Sequence, residues 1–541
     1  MKNRSRRALC CLLSAALMLA ILAMPASGAA GFDDVPNGAW YTAAVKDLVS
    51  KGIMSGKGNG RFEPNGSMTR AEFTTMLART ALSEEELKEY NYQGSFSDVG
   101  RGNWANKYIN WANDNGIVSG SGGKFNPGKM ITRQDMAVML VNYSKAMCIG
   151  LPPTTGSVSF HDSGKILSYA RESVDACVRA GILKGDNGYF RPADTSKRCE
   201  AAQMFSTFLK LGRTPGFSVV RRRVSGVSVR GVSFDPMDYT SNVVMGGSRV
   251  NGAESADSII RRSGAEIAVN GSFFDLETNT PYATIVKNRE IVTTFNAYSP
   301  AKSAIIMDGS GRWSVENFST YVTLTAVNFH APEATAKEVV VNRRPSSPTD
   351  GARIIFTRAW GEKLGFAPKY AVQVDDEGYV TEVYRDKDVR IPESGYLIVQ
   401  SGDRKYQNEF ITSICPGSFI DRQVEYKGSG TQDIRHCLGV GPRLVKNGKA
   451  YGDANTYAAE GLDGINNFSD DVRVCIGVKP DGDLVIVTAY ASLPEMSKVM
   501  VGLGCDNAVN LDGGGSANLY AGGFYFTGPR GRLLNNMLTF R

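Results

Sequence analysis

The hydrophobic positions of the chain change their period near residue 212. Before that point apolar residues recur at helical spacing, most clearly at Ala44, Val45, Leu48 and Val49. After it, short apolar runs predict strands, the best defined being Val219-Val220, Val243-Val244-Met245, Ile267-Ala268-Val269, Ile305-Ile306-Met307, Val339-Val340-Val341, Ile354-Ile355-Phe356 and Leu397-Ile398-Val399. Leu493, Met496, Val499 and Met500 recur at helical spacing and predict a helix over residues 492–503. The pattern predicts a multidomain chain, with an all-α module over residues 31–212 and an α+β, strand-rich domain over residues 217–541.

The helical module consists of three repeats. Each opens with a Phe and an Asp, at intervals of 64 residues, in Phe32-Asp33-Asp34-Val35, Phe96-Ser97-Asp98-Val99 and Phe160-His161-Asp162-Ser163. A turn that runs from a glycine to a proline around a phenylalanine follows in each, at 60–64, 123–127 and 188–192. We divide the module into units of residues 31–94, 95–158 and 159–212, and we expect neighbouring units to stack over a shared core.

A second helix is predicted in each repeat, and an arginine lies in its first turn, at Arg70, Arg133 and Arg198. A capping box explains the Thr and the acidic residue of Thr69-Arg70-Ala71-Glu72. It does not explain the arginine, because a cation in the first turn opposes the helix dipole. The pattern therefore favours an anionic ligand that meets the guanidinium and the helix N-terminus together.

These motifs together resemble S-layer homology repeats over about residues 31–212. The resemblance implies a module that binds an anionic secondary cell-wall polysaccharide without a covalent bond. It carries a polymer-binding role onto Asp34, Arg70, Asp98, Arg133, Asp162 and Arg198. The third repeat departs from the pattern at Ser163, Ser168 and Lys197, so we interpret residues 159–212 as a degenerate copy whose groove is weak or silent.

The first 30 residues are typical of a secretory signal peptide, with a basic start, an apolar run and small residues for cleavage. No later stretch is long and apolar enough to span a membrane. We therefore expect a secreted protein, bound to the cell wall or S-layer, with no transmembrane anchor after signal removal. Four of the cations behind the net charge of +7 lie in the signal, which leaves no case for a nucleic-acid partner.

Metal and cofactor chemistry finds little support in the sequence. Seven cysteines lie outside the signal at irregular spacing and form no C-x-x-C pair, and the three histidines are far apart. We expect no metal site and no cofactor, and we find no support for a dense disulfide framework or a His-based triad.

The candidate chemistry is concentrated in residues 508–516, Ala-Val-Asn-Leu-Asp-Gly-Gly-Gly-Ser. Strand alternation places Val509 and Leu511 on a core face, and Ala508, Asn510 and Asp512 on the other. Three successive glycines let a ligand approach the backbone, so its N–H groups can converge on an anion. An ordinary turn needs fewer glycines, and we favour a binding site here over a turn.

Two other strands show a similar face of small and polar residues. One contains Asn270 and runs into Gly271-Ser272-Phe273-Phe274-Asp275. The other, residues 472–478, has Arg473 on one face with Cys475 and Gly477, which leaves room for its head to enter a cleft. A surface arginine on a half-exposed strand is the common alternative.

With residues 439–448, these stretches resemble the phosphodiester glycosidase family over about residues 217–541. The resemblance implies hydrolysis of the bond between the anomeric carbon of a sugar and a phosphodiester. It carries site roles onto Asn270, Gly271, Asp275, Arg473, Asp512, Gly514 and Ser516. Cys475 and the aspartates before Arg473 depart from the family pattern, which affects the expected fit of the substrate.

The residue types suit this chemistry. We expect Asp512, or else Asp275, to act as base or nucleophile, and Arg473 to hold the phosphate together with backbone N–H groups. Asn270 completes the catalytic set, and the substrate-binding set is Gly271, Asn510, Gly513, Gly514, Gly515 and Ser516. The expected function is that of a wall-anchored hydrolase of glycan phosphodiesters. The alternatives are a non-catalytic wall-polysaccharide binder and an S-layer structural protein.

Overall fold

A computed structural model of the chain describes residues 31–541 apart from 157, 295–300, 329–330, 338, 348–350, 404–408, 463–466 and 529–530. The predicted signal peptide lies outside the described residues. The chain forms two compact units, one of the described residues up to Tyr143 with Leu151–Gly212, the other of Ser144–Gly150 with Arg213–Arg541. No helix in the described ranges has the length and apolar character needed to cross a membrane.

The longer elements described before residue 212 are helices, but isolated β-bridges lie among them, so the expectation of an all-α module is not confirmed. The helices are α1 Thr42–Ser50, α2 Arg70–Ala81, α3 Glu84–Leu87, α4 Asn106–Asp114, α5 Arg133–Ala146, α6 Arg171–Arg179 and α7 Arg198–Leu211, with 3₁₀ turns at Lys88–Tyr90, Ser163–Lys165 and Ser168–Ala170. The predicted capping box is present at the start of α2, where Thr69 and Glu72 bond each other's backbone N–H. Isolated β-bridges connect the repeats in a cycle, at Thr69–Met130, Thr132–Thr195 and Ser67–Lys197.

Each arginine in the first turn of a second helix bonds to the turn of another repeat. Arg198 donates from Nε to the carbonyl of Phe62 at 2.9 Å and from Nη2 to that of Ser55 at 2.7 Å. Its guanidinium also lies 4.6 Å from the centre of the Phe62 ring. The equivalent bonds join Arg70 to Phe125 and Ser119, and Arg133 to Phe190 and Lys184. The three repeats therefore close on themselves, first to second, second to third and third to first.

The repeat aspartates hold the same turns from within their own repeat. Asp34 accepts the backbone N–H groups of Phe62 at 2.7 Å and of Glu63 at 2.8 Å, and Glu63 has a positive φ of 59°. Burial acts to raise the pKa of this carboxyl, but the two N–H bonds outweigh it and the pKa is lowered. The same bonds recur from Asp98 to Phe125 and Asn126, and from Asp162 to Phe190 and Arg191.

We use the term turn clamp for an aspartate on the N–H and an arginine on the carbonyl of one turn phenylalanine. The third repeat contributes both parts, through Asp162 and Arg198, although its sequence departs from the other two. The clamp gives the arginines a structural role that the sequence analysis did not foresee. The expectation that the groove of the third repeat is weak or silent stays a prediction.

The C-terminal unit contains four sheets. A seven-stranded antiparallel sheet, called the main sheet here, has the order β1 Ser218–Val224, β2 Val227–Phe234, β20 Leu484–Ala491, β19 Asp471–Val478, β21 Asn507–Asn510, β17 Arg443–Lys446 and β18 Lys449–Ala450. A five-stranded sheet, called the small sheet, has the order β23 Phe524–Thr527, β22 Leu519–Ala521, β4 Ile267–Asn270, β24 Asn536–Phe540 and β3 Ser241–Met245. The candidate site lies between these two sheets.

The other two sheets complete the unit. One has the order β15 Phe419–Lys427, β8 Trp313–Asn328, β7 Lys302–Asp308, β16 Ile434–Gly439, β5 Ile285–Lys287 and β6 Glu290–Thr293, with β9 Ala331–Ala336 beside β8. The last has the order β10 Val340–Val341, β11 Arg353–Phe356, β14 Tyr396–Gln400, β12 Tyr370–Val374 and β13 Val380–Arg385. Each of the seven strand runs predicted from the sequence overlaps a strand of this unit, although Val339 lies just outside β10.

Short helices cover the sheets, at α8 Ala256–Ser263, α9 Glu409–Thr412, α10 Ala454–Ala459 and α11 Leu493–Gly502, with 3₁₀ turns at Pro236–Asp238, Gly246–Ser248 and Gly514–Ser516. Helix α11 confirms the helix predicted over residues 492–503. One large core takes residues from all four sheets, among them Val269, Ile305, Ile354 and Ile476. A second core under α11 contains Cys475 and Ala508, so the main sheet is covered on both faces.

The turn clamp predicts a stability effect. Arg133→Ala removes two charge-assisted bonds to carbonyls and a contact with the Phe190 ring, and it should lower the free energy of unfolding by about 2–4 kcal/mol. Chemical denaturation of the full chain measures it. Arg101→Ala is the matched control, because Arg101 is exposed and should cost less than about 0.5 kcal/mol. Equal losses for the two variants would remove the clamp as a stabilising feature.

Candidate functional site

The loop after β21 crosses from the main sheet to the small sheet. Leu511 still bonds to the main sheet, through its N–H to the carbonyl of Val474 at 2.8 Å. The next residue, Asp512, donates its N–H to the carbonyl of Gly271 at the end of β4, at 3.1 Å. The strand therefore ends at Asn510, two residues earlier than the alternation suggests, and Asp512 lies where the two sheets meet.

Asn270 fastens both ends of this loop. Its Nδ2 donates to the carbonyl of Asp512 at 2.6 Å, and its Oδ1 accepts the N–H of Asn518 at 2.9 Å. The residue is 1% exposed, so these bonds satisfy a buried amide. Asn270 therefore holds the loop in place, and its expected membership of the catalytic set stays a prediction.

The three glycines of the loop meet three different requirements. Gly513 packs closely against the backbone of β19, where a Cβ would lie only 2.7 Å from the carbonyl oxygen of Val472. Gly514 has a positive φ of 55°, which favours glycine. At Gly515 a Cβ would be 2.7 Å from Cζ of Arg532. The triplet is therefore fitted to its surroundings and is more than a flexible turn.

A cavity of about 340 Å³ opens beside the loop. Its charged lining residues are Asp512, Arg532 and Lys302, and the rest of its wall is formed by Phe273, Phe274, Leu276, Tyr282, Ala283, Val440, Gly461 and Leu462. Cavities of this size with a mostly apolar wall and a few convergent polar groups are usual for small ligands. The part that the sequence analysis anticipated is Asp512 together with the segment around Phe273.

Asp512 has an unusual electrostatic environment. Burial raises the pKa of its carboxyl to about 6, against the lowering effects of a hydrogen bond with Ser516, the charge of Arg532 and the N–H of Gly513. Ser516 is fully buried, and its Oγ accepts a hydrogen bond from Nη1 of Arg532 at 3.2 Å. The carboxyl can therefore be ionised at neutral pH, as a base or nucleophile requires, and can take up a proton slightly below it.

Arg473 lies elsewhere than expected. The predicted alternation is correct, since Val474 and Ile476 belong to the large core and Cys475 to the core under α11. The guanidinium, however, does not line the cavity and is directed to the backbone, with bonds from Nε to the carbonyl of Ala491 at 3.3 Å and from Nη2 to that of Ser469 at 3.1 Å. The residue is 4% exposed and helps to hold the end of β19.

Asp275 also lies outside the cavity wall and is half-buried. Its carboxylate accepts hydrogen bonds from the N–H and the hydroxyl of Thr278, and from the hydroxyl of Tyr282 at 2.9 Å. These bonds, that of the Thr278 N–H first, lower its pKa. In this arrangement Asp275 orders its turn and holds Tyr282 against the cavity.

Two further predicted binding residues are packed into the backbone. Asn510 is 1% exposed and donates to the carbonyl of Gly441 at 3.2 Å. Gly271 donates its N–H to the carbonyl of Asn536 at 3.1 Å, and a Cβ at this position would be 2.0 Å from Oδ1 of Asn536. Both residues shape the floor of the site from behind.

Sequence reasoning missed two cations of the cavity. Lys302, at the start of β7, donates from Nζ to the carbonyl of Glu460 at 2.9 Å, and burial lowers its pKa. Arg532 precedes β24 and is separated from Ser516 by 16 residues. Neither residue lies in a motif. The one usable sequence signal for Arg532 was a positive charge directly before the apolar segment that forms β24.

Comparison with protein families gives matches in two regions. The S-layer homology domain matches residues 31–74, 95–137 and 159–202. The phosphodiester glycosidase family matches residues 366–541, which include Arg473, Asp512 and Arg532 but not Asn270, Asp275 or Lys302.

Individual relatives cover only parts of the chain. An endoglucanase of Bacillus sp. (strain KSM-635) is 34% identical over 185 residues, 34% of this chain and 19% of the relative. The S-layer protein sap of Bacillus anthracis is 29% identical over 208 residues, 38% of this chain and 24% of the relative. The chain thus spans less than a quarter of the length of these two proteins.

A solved structure shares the fold. The crystal structure of a hypothetical protein from Synechocystis has a TM-score of 0.52 at 21% identity, and the match covers 60% of this chain and 62% of that one. The two family matches describe the organisation of the molecule: the chain carries three S-layer homology domains followed by a phosphodiester glycosidase domain.

Proposed function

We propose that the chain is a cell-surface hydrolase that cleaves sugar-1-phosphodiester linkages in envelope or extracellular glycans. The observation that supports this most is the carboxyl of Asp512, with its pKa raised to about 6, in a cavity it shares with Arg532. A carboxylate can act at the anomeric carbon, a cation attracts the phosphate, and the apolar wall suits a sugar face. The S-layer homology domains and the likeness to S-layer proteins indicate the cell-surface location.

The reaction places few demands on acid catalysis. The bond from the anomeric carbon to the phosphate oxygen breaks, and its electron pair leaves with a phosphate monoester. The new bond to the anomeric carbon comes either from water directly or from the Asp512 carboxylate, whose glycosyl ester water then hydrolyses. The phosphate leaving group is stable as an anion, so strong protonation of it is unnecessary. Asp512 would act either as the base that takes the proton of water or as the nucleophile, and both roles begin with the ionised carboxylate.

The N-terminal module would anchor the enzyme to an anionic wall polysaccharide. The six predicted polymer-binding residues are engaged in turn clamps, so we propose that they act mainly by shaping the surface around them. Trp40 and Trp104, at equivalent places in the first two repeats, are both 62% exposed. Exposed aromatic rings at matching positions are suited to contact a glycan chain.

A non-catalytic role is the alternative, as a wall-polysaccharide binder or as a structural S-layer subunit. It is favoured by the likeness to an S-layer protein. Turnover of a chromogenic sugar-1-phosphodiester by the purified chain would support the enzyme, whereas binding without turnover would support the alternative.

Asp512→Asn keeps the shape of the side chain and removes its charge. We expect kcat to fall at least about 1000-fold with no loss of melting temperature or ligand affinity, because the variant lacks the base or nucleophile but keeps the fold. Asp376→Asn, at an exposed aspartate outside this cavity, is the matched control and should keep full activity. Near-native kcat in Asp512→Asn would make this residue structural.

The pKa of Asp512 also predicts pH dependence. Since the ionised form is the active one, kcat/KM should fall as pH drops through about 6, and not near the ordinary value of 3.8. The raised folded-state pKa means that ionisation disfavours folding, so the wild type should lose stability relative to Asp512→Asn as pH rises from about 4 to 6. A pH–rate profile and paired melting curves measure the two effects. An acid limb near pH 4 would contradict the assignment.

Anchoring can be tested by sedimentation of the full chain with purified cell walls. The chain should pellet with walls and be released when the anionic polysaccharide is stripped. Trp40→Ala combined with Trp104→Ala should reduce wall affinity at least about tenfold without lowering the melting temperature, because both rings are exposed. Met130→Ala is an exposed apolar control in the same module. Unchanged sedimentation of the double variant would exclude these rings from the binding surface.

A further inference from the structure

Two arginines of the glycosidase domain are candidates for binding an anion, and their surroundings differ. Arg473 is buried, and its Nε and Nη2 donate to the main-chain carbonyls of Ala491 and Ser469. Arg532 is exposed to solvent and lines the cavity that contains Asp512. Its side chain donates from Nη1 to a neutral acceptor, Oγ of Ser516, at 3.2 Å. This bond leaves the positive charge of Arg532 uncompensated by an ion pair within the described residues.

Gly515 reveals how closely Arg532 is fitted to the loop. The backbone of Gly515 is not left-handed, so its conformation does not require glycine. A Cβ at this position would instead lie 2.7 Å from both Cζ and Nη2 of Arg532, and 3.0 Å from Nε. The absent side chain therefore makes room for the guanidinium plane, which lies across the glycine loop beside Asp512.

We propose that Arg532 is the residue that binds the phosphate of the substrate and so selects phosphodiesters over neutral glycosides. Ser516 and Gly515 position the guanidinium, the former by a hydrogen bond and the latter by its small size. This inference rests on the proposed function of the same cavity. It transfers the phosphate-binding role expected of Arg473 to a residue that reaches the ligand space.

The charge of Arg532 has a second effect on the site. It favours the ionised form of Asp512 and so opposes the rise in pKa that burial causes. An arginine that only supported the fold would affect neither the preference for charged substrates nor the pKa of Asp512. Loss of the charge should therefore change both the substrate preference and the pH dependence.

The test compares Arg532→Gln, Arg532→Lys and Gly515→Ala with a control, Arg261→Gln, at an exposed arginine on α8. Gly515→Ala displaces the flexible end of Arg532 without backbone strain, so it perturbs the same contact from the other side. The substrates are an aryl sugar-1-phosphodiester and the neutral aryl glycoside of the same sugar. Inorganic phosphate serves as the anion probe, by inhibition and by its effect on the melting temperature.

We expect Arg532→Gln to lower kcat/KM at least 30-fold on the phosphodiester and less than threefold on the neutral glycoside. Arg532→Lys should recover part of the loss, because an ammonium keeps the charge but lacks the planar fork. Gly515→Ala should show a smaller loss of kcat/KM that is also selective for the phosphodiester. The acid limb of Arg532→Gln should move to higher pH, and Arg261→Gln should match the wild type throughout.

Equal losses of Arg532→Gln on the two substrates would overturn the proposal, and so would an unshifted acid limb. If the wild type turns over neither substrate, the proposed function fails. The role of Arg532 as an anion-binding residue is then tested by phosphate binding alone. Phosphate should raise the melting temperature of the wild type and of Arg261→Gln but not of Arg532→Gln. An equal effect of phosphate on all three proteins would show that Arg532 binds no anion.

Discussion

The candidate site depends on the two hydrogen bonds that tie the Asp512 peptide to the end of β4. Asp512 donates its N–H to Gly271 and accepts a bond from Asn270 at its carbonyl. Since β21 belongs to the main sheet and β4 to the small sheet, these bonds fix the loop to both sheets at once. The carboxyl is thereby kept at a seam between sheets, where burial can raise its pKa, and the glycines can be fitted to Val472 and Arg532.

Polar residues of the motifs mostly support backbone in this protein. Asn270, Asn510 and Arg473 each bond to main-chain carbonyls near the cavity, and the repeat arginines do the same at the turn phenylalanines. Buried carbonyls in loops lack the partners that a strand or helix would give, so a side chain must supply the donor. The charged residues that line the cavity are Asp512, Arg532 and Lys302, and of these three only Asp512 belongs to a predicted motif.

The sequence predicted elements better than contacts. Periodicity located the seven strands and α11, and the alternation of residues 472–478 correctly assigned Val474 and Cys475 to opposite faces. A face, however, does not specify what a long side chain reaches, which is why Arg473 turned to the backbone. Arg532 could not be foreseen, because it meets Ser516 through the fold and stands in no repeated or glycine-rich pattern. The repeat arginines were noticed correctly, but their carbonyl partners lie in other repeats, about 50 to 140 residues away.

The contact between Arg198 and Phe62 makes the repeat module a closed cycle. An open solenoid can gain or lose a unit at either end, because each unit needs only its neighbour. Here every turn phenylalanine requires an arginine from another unit, and the first depends on the last. During synthesis, which proceeds from the N-terminus, the module therefore stays incomplete until residue 198 has been added, and deletion of one unit would leave one turn without its arginine. The closed cycle of contacts therefore sets the number of repeats at three. Substitutions on the surface of the module are tolerated more readily than the gain or loss of a repeat.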